Sequence, residues 1–245
     1  MAIEGPRRVR ERLKQHHPAG FSLIEIIVII AIIALLIAII VPVTGVMRDR
    51  ARAAATQTMM AAIATGLESH HREFGGYPTS TPYGVFGANR GPALLLQGVM
   101  GYLPAANDGV DGPGFRKQGA NGTFRGQKYG PYFEASGNNL RVNSATDQVV
   151  IDWRGNEILY YCATSRAEVA SPTNVFGAAG DSFFIESDNP GTPSSSATAK
   201  FWEKLGVTSN SASSGTVLGR NSFLMISAGA NGTYFDDDDI VVGGP

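Results

Sequence analysis

The sequence predicts an α+β protein in which one long N-terminal helix lies against a small antiparallel sheet with extended loops. Three observations lead there. Residues 21–43 form an apolar run that contains a single charge. Residues 44–74 continue as Ala-, Met- and Arg-rich sequence with high helix propensity. Most of the 30 Gly and 13 Pro residues then follow Phe74, among Ser, Asn and Thr, where short strands joined by turns are expected.

A chain of 245 residues, 43% hydrophobic and 17% charged, can bury one ordinary core and carry a smaller appendage. The first twenty residues hold Arg7, Arg8, Arg10, Arg12 and Lys14 against Glu4 and Glu11, a balance of +3. With −1 overall, the remainder carries −4. A mildly acidic body does not suit nucleic acid, which needs a basic surface to displace counterions from phosphate. Cys162 alone cannot form an internal disulfide.

The run FSLIEIIVIIAIIALLIAIIVPV, Phe21 to Val43, is long enough at ~1.5 Å per residue to cross a hydrocarbon core of ~30 Å. Apolar all round, it belongs in lipid or among other helices rather than inside a body of this size. Basic residues flank it on both sides, Arg7 to Lys14 before and Arg48, Arg50 and Arg52 after, so charge alone leaves the orientation open. The small residues Ala19-Gly20 precede the apolar run instead of following it, which disfavours an ordinary removable secretory signal.

Gly20-Phe21-Ser22-Leu23-Ile24-Glu25, set between a basic leader and an Ile/Leu run, resembles the G-F-[ST]-L-x-E motif of the type IV pilin superfamily, including the major pseudopilins of type II secretion. The resemblance implies a prepilin: a leader of residues 1–20, a transmembrane and filament-core helix of 21–49, and a periplasmic head of 50–245. It implies a membrane prepilin peptidase that cuts between Gly20 and Phe21 and methylates the new Phe21 amino group. Glycine suits that position because it presents a narrow backbone to the protease.

A carboxylate on an apolar helix costs roughly 2.5–3.5 kcal/mol on insertion scales, so Glu25 needs a cation. By resemblance, that cation is the Phe21 ammonium of a neighbouring subunit, which makes Glu25 the assembly residue. Pro42 falls where pilins commonly place a proline and is expected to kink or loosen the helix. If continuous, Phe21 to Phe74 would span ~80 Å at ~1.5 Å per residue.

Beyond Pro42, the stripe Met59, Ile63, Leu67, His70 and Phe74 recurs at helical spacing, with Arg50, Glu68, Arg72 and Glu73 facing outward. Gly75-Gly76 should end the helix in a left-handed cap. His70 and His71 are adjacent, so they point about 100° apart and read as packed or solvated histidines rather than a metal pair. The phrase LESHHREFGGYPT resembles the end of this helix in secretion pseudopilins.

Downstream, Gly91 to Leu96 begins a short helix, and Asn107 to Gly126 reads as a glycine-rich loop in which Asp108 and Asp111 are turn residues. Gly130-Pro131-Tyr132-Phe133 resembles the short G-P-Y segment of the pseudopilins. Val149-Val150-Ile151 and Ile158-Leu159-Tyr160-Tyr161 flank a polar turn and read as a β-hairpin. The hairpin also resembles the pseudopilin pattern D-P-W-G-N-P-Y-x-Y, keeping Asp152, Gly155, Asn156 and Tyr160 but neither proline. Residues 105–128 and 164–200 look like insertions, the second holding a strand at Phe183-Phe184-Ile185.

Ser222 to Ser227 reads as a strand, followed by a loop with four consecutive carboxylates, Asp236 to Asp239. Such a run of hard oxygen donors suits Ca²⁺ rather than Zn²⁺, although the EF-hand phrase is missing. The segment resembles the calcium loop of major pseudopilins. By that resemblance Asn231, Asp238 and Asp239 would be the ligands, with Asp236 or Asp237 assisting.

The resulting expectation is a structural subunit of a type II secretion-like pseudopilus, single-pass in the bacterial inner membrane, with its head in the periplasm. Its partners would be further copies of itself, minor pseudopilins, the prepilin peptidase and an inner-membrane assembly platform. The alternative is a type IV pilin or minor pilin for adhesion or DNA uptake. No Ser/His/Asp, zinc or phosphate-loop signature points to an enzyme.

Overall fold

The computed structural model describes residues 20–79, 90–101, 109–110, 112–118, 124–144, 147–165, 175–176, 182–185, 188–189 and 222–243. The expected leader, apart from Gly20, together with Asp108 and Asp111, lies outside the described residues. The architecture is α+β and pilin-like: a long N-terminal helix followed by small antiparallel sheets.

Helix α1 runs Leu23–Phe74, 52 residues, and is continuous through Pro42. The chain divides into two compact units, Met1–Met47 and Arg48–Pro245. In the first, every described Ile, Leu and Val side chain from Leu23 to Val41 is exposed. That exposure is what an apolar helix shows when its burying medium is lipid or other helices.

In the second unit the amphipathic pattern takes over. Met60, Ile63 and Leu67 are fully buried, His70 nearly so, and Met59 and Phe74 half-buried, while Arg50, Glu68, Arg72 and Glu73 face solvent. Gly75 ends α1 at φ +78°, its N–H donating to the His71 carbonyl at 2.8 Å, the left-handed cap that two glycines foretold. Helix α2, Gly91–Val99, is buried at every residue. Two glycines allow this: a methyl group at Gly98 would overlap the Pro78 ring, and one at Gly91 the Tyr160 carbonyl and the Asn189 amide.

The core sheet has the order β10 (Ile240–Gly243), β9 (Phe223–Ser227), β5 (Leu159–Cys162), all antiparallel. Strand alternation divides it into two faces. Tyr160, Phe223 and Met225 join Met60, Ile63, Leu67 and α2 on one side, and Leu159, Tyr161, Leu224 and Ile226 join Phe184 and Phe235 on the other. A sheet covered on both faces explains the unbroken apolar run FLMI in β9. At the edge of the sheet, the Asn189 amide mimics a strand, its Oδ1 accepting from Tyr160 N–H at 3.1 Å and its Nδ2 donating to the Tyr160 carbonyl at 2.8 Å.

Two expectations are corrected. The segment expected as a loop to Gly126 contains an antiparallel hairpin, β1 (Phe115–Gln118) with β2 (Phe124–Tyr129). Phe115 and Tyr129 are paired across it and pack against Phe74, tilted at 5.6 Å and edge-on at 5.0 Å between ring centroids, so an aromatic cluster holds the hairpin to the end of α1. The second correction concerns the apolar runs around Asp152–Glu157. Their tight turn forms, yet the ladder between them stops at the Ile151–Glu157 bridge and one bond from Ile158 N–H to the Val150 carbonyl. Beyond it, β4 (Gln148–Val150) pairs with β3 (Leu140–Val142), while β5 pairs with β9. Each run finds a longer partner elsewhere. The strand expected at Phe183–Ile185 is present as β8 (Ser182–Ile185), between β6 (Thr164–Ser165) and β7 (Val175–Phe176).

Candidate functional site

Gly20 and Phe21 precede α1, and Phe21 is 78% exposed. The expected cleavage point between them lies ahead of the helix, and both residues are exposed. Ser22 occupies the N-cap position: its carbonyl accepts from Glu25 N–H at 3.0 Å and Ile26 N–H at 3.3 Å. Glu25 Oε2 returns to accept the Ser22 N–H at 2.7 Å. This is the carboxylate half of a capping box, and the S-x-x-E spacing of Ser22 and Glu25 could have revealed it. Glu25 thus ties off the first turn, where the helix dipole also favours a negative charge.

The acidic loop hangs from β9 and returns into β10. Asp238 Oδ2 accepts the N–H groups of Ala230 (2.7 Å) and Asn231 (2.9 Å), and Asp239 Oδ2 those of Phe235 (2.6 Å) and Asp236 (3.0 Å). Asp236 accepts the Asp238 N–H and the Asn231 side-chain amide, and Asn231 Oδ1 accepts the Thr233 N–H at 2.6 Å. Close packing needs special backbone here. A side chain at Gly229 (φ +59°) would strike the Asp238 backbone, and buried Phe235 adopts φ +69°.

Burial pushes the Asp239 carboxyl up to about 7 against the two N–H groups that hold it down, and its buried Oδ1 meets no donor among the described residues. Hydrogen bonding with Asp236 holds Asp238 below the usual carboxylate range. Among the described residues no three acidic, His or Cys side chains converge on a point that could hold a metal ion. The donors are of the kind Ca²⁺ takes, but the loop satisfies most of them with its own N–H groups. Asp237 is exposed.

The turn at 152–156 supports this loop. Asp152 is buried and accepts the N–H groups of Arg154 (2.8 Å) and Asn156 (2.9 Å) in an Asx turn, and Gly155 sits at φ +88°. The Tyr234 hydroxyl donates to the Glu157 carbonyl, joining loop to turn. Glu157 is itself ion-paired to Arg90 and Arg141, with Arg90 also bound to Asp147 at 2.8 Å. His70 is a packed residue: its Nδ1 bonds the Gly76 carbonyl at 2.9 Å, and its ring stacks on Phe74.

A family model for the prokaryotic N-terminal methylation motif matches residues 16–41. No curated protein and no solved structure matches the chain. The motif implies processing by a prepilin peptidase and association with the membrane. The chain carries a prepilin-type methylation motif at the head of a long apolar helix, followed by an α+β body, a make-up consistent with a type IV pilin-like protein.

Proposed function

We propose that this chain is a non-catalytic filament subunit, a pseudopilin of a type II secretion-like machine, held in the bacterial inner membrane by residues 21–49 with its head in the periplasm. One observation carries the reading: Glu25 stands four residues after Phe21 at the start of a helix whose described Ile, Leu and Val side chains from Leu23 to Val41 are all exposed. Such a helix needs neighbours, and its single carboxylate needs a cation that the cleaved terminus of another copy can supply. Minor pseudopilins and an assembly platform would complete the filament. The Asp152 turn, the acidic loop and the lack of a second cysteine favour secretion over a surface pilus.

Two measurements on the native organism test this. Mass spectrometry of the membrane protein should find a mature chain beginning at N-methylated Phe21. Deletion should leave folded proteins unsecreted, whereas loss of adhesion or DNA uptake with secretion intact would assign the chain to a pilus instead.

Calcium is a separable part of the proposal. Asn231, Asp238 and Asp239, with Asp236 or Asp237, would hold it; support comes from their oxygen chemistry and from Asp239 Oδ1, which meets no donor among the described residues. Bound there, a divalent cation would neutralise the loop and tie it to the sheet.

A further inference from the structure

A cleft between α1 and the 152–156 turn is used by neither processing nor membrane insertion. Arg52, Ala55, Thr56 and Met59, spaced along one face of α1, line one side, and Asn139 and Trp153 the other. Its volume of about 100 Å³ has room for several waters or one side chain. The rim is cationic. The Arg52 guanidinium lies over the Trp153 ring, 5.4 Å from its centroid, and the Arg154 guanidinium lies over the same ring at 4.5 Å. Both arginines are exposed, and the buried Trp153 Nε1–H meets no acceptor among the described residues. Arg52 pairs with Asp49 at 3.9 Å across an exposed turn of helix, a contact worth little, and Arg154 enters none of the ion pairs among the described residues. Donors and positive charge thus outnumber acceptors here.

Two guanidiniums on an indole, beside Ala55 and Met59, suit a carboxylate on a short aliphatic stem: the stem packs on the apolar side chains and the oxygens meet the cations. Trp and Arg around a small pocket are also the residues that carry binding energy in protein interfaces. The chain displays such a carboxylate. Glu134 is exposed and enters no ion pair or hydrogen bond among the described residues, whereas Glu68 and Glu73 accept from the Tyr77 and Tyr132 hydroxyls. Its segment crosses α1 at a later stretch than the cleft does. Tyr132 places its carbonyl 3.2 Å from where a methyl group on Gly66 would stand, and its hydroxyl on Glu73. Residues 66–73 follow residues 52–59 by 7 to 21 positions, ~10–32 Å along the helix at ~1.5 Å per residue.

A cationic cleft and an unpaired acid at different heights on one body can form a heterologous contact, and repetition of such a contact gives an open helical filament. We infer that Glu134 of one copy seats in the Arg52/Trp153/Arg154 cleft of a second copy. The inference rests on the filament reading above and adds a contact between heads.

The test uses the full chain in its native assembly system, with sheared filaments quantified. Arg52→Glu with Arg154→Glu should lower the filament yield about ten-fold or more, and so should Glu134→Arg, since like charges then meet across the contact. Co-expression of these two defective chains should bring the yield back to within about two-fold of the parent, because alternating copies restore opposite charges at every contact. Mixing can rescue only a pairing between copies. A second measurement does not depend on how the reversals fold: in a Cys162→Ser background, a chain with Arg154→Cys and another with Glu134→Cys should join through a short thiol cross-linker in filaments. Unchanged yield in either reversal, or filaments without the cross-link, would overturn the inference. Recovery in one chain carrying all three changes but not in the mixture would also overturn it, by making the pairing internal. Reversals that leave filaments intact but block secretion would give the cleft to an acidic side chain of another protein. If the parent chain forms no filament, the filament reading itself fails.

Discussion

The Ser227 hydroxyl, at the end of β9, donates to Asp152 Oδ2 at 3.1 Å, and both residues are buried. One carboxylate thus organises its own turn through two backbone N–H groups and fastens that turn to the core sheet. Asp152→Ala would leave the buried Ser227 hydroxyl and the part-buried N–H groups of Arg154 and Asn156 without their acceptor, each unsatisfied buried group costing roughly 1–3 kcal/mol. The expected outcome is a loss of about 2–4 kcal/mol in chemical unfolding of an Arg48–Pro245 fragment, with Ser227→Ala costing about 1 kcal/mol. A loss below 1 kcal/mol for Asp152→Ala would show that water replaces the carboxylate.

Gly98 packs against Pro78 with no room for a side chain. Gly98→Ala gains helix propensity of ~1 kcal/mol, but overpacking a buried helix typically costs ~1–3 kcal/mol. Net destabilisation of the same fragment is expected. Gly137→Ala, where nothing lies within 4 Å, is the control that should change little.

For Glu25, the capping bond and the assembly role separate by substitution. Glu25→Gln keeps the capping-box spacing, because its amide oxygen can still accept the Ser22 N–H, but it removes the charge. Processing and membrane insertion of both Glu25→Gln and Glu25→Ala should persist, and both should fail to enter filaments. Normal filaments from Glu25→Gln would mean that the carboxylate matters only as a cap.

Burial pushes the Asp188 carboxyl from 3.8 up to about 7. Between those values the folded chain holds a proton that the unfolded chain has released, so stability falls as pH rises through about 4 to 7 and is retained below. At ~1.4 kcal/mol per pKa unit the loss by pH 8 is on the order of 1–4 kcal/mol. Asp188→Asn should flatten this decline and raise the melting temperature at pH 8. Equal pH profiles for the variant and parent fragments would mean that the half-buried Asp188 carboxyl keeps enough water to ionise as it does in the unfolded chain.

Calcium binding would stabilise the folded head by mass action, about 2.7 kcal/mol when the ion is at a hundred times its dissociation constant. The melting midpoint of the Arg48–Pro245 fragment should therefore rise with Ca²⁺ relative to chelator. Asp238→Asn together with Asp239→Asn should abolish the difference. An unchanged midpoint in the parent would leave the loop held by its own hydrogen bonds alone.

Much of this was legible in the residues. The apolar run from Phe21 and the glycines after Phe74 mark the helix because composition alone dictates what a long Ile/Leu stretch must do with its surface. The stripe Met59, Ile63, Leu67 reads directly as the buried face. The β1–β2 hairpin was harder to see: its strands are short, its sequence is polar apart from Phe115, Phe124 and Tyr129, and the aromatic cluster that stabilises it joins residues distant in the chain. The pairing of Val149-Val150 with Leu140 rather than with Leu159 was equally hidden, since a turn signal at Asp152 specifies local geometry and leaves the partner of each strand to tertiary packing. In the acidic loop, residue type suggested a cation, whereas backbone N–H donors that no sequence pattern displays hold one oxygen each of Asn231, Asp236, Asp238 and Asp239.

The amide of Asn189 closes on both polar groups of Tyr160 along the outer border of β5. A strand from another molecule approaching that border finds its hydrogen-bonding positions at Tyr160 already taken, so the sheet resists extension there. Molecules packed tightly side by side at high local concentration therefore meet one barrier to merging into a runaway cross-β aggregate, and ordered stacking is left to their helices and charged surfaces.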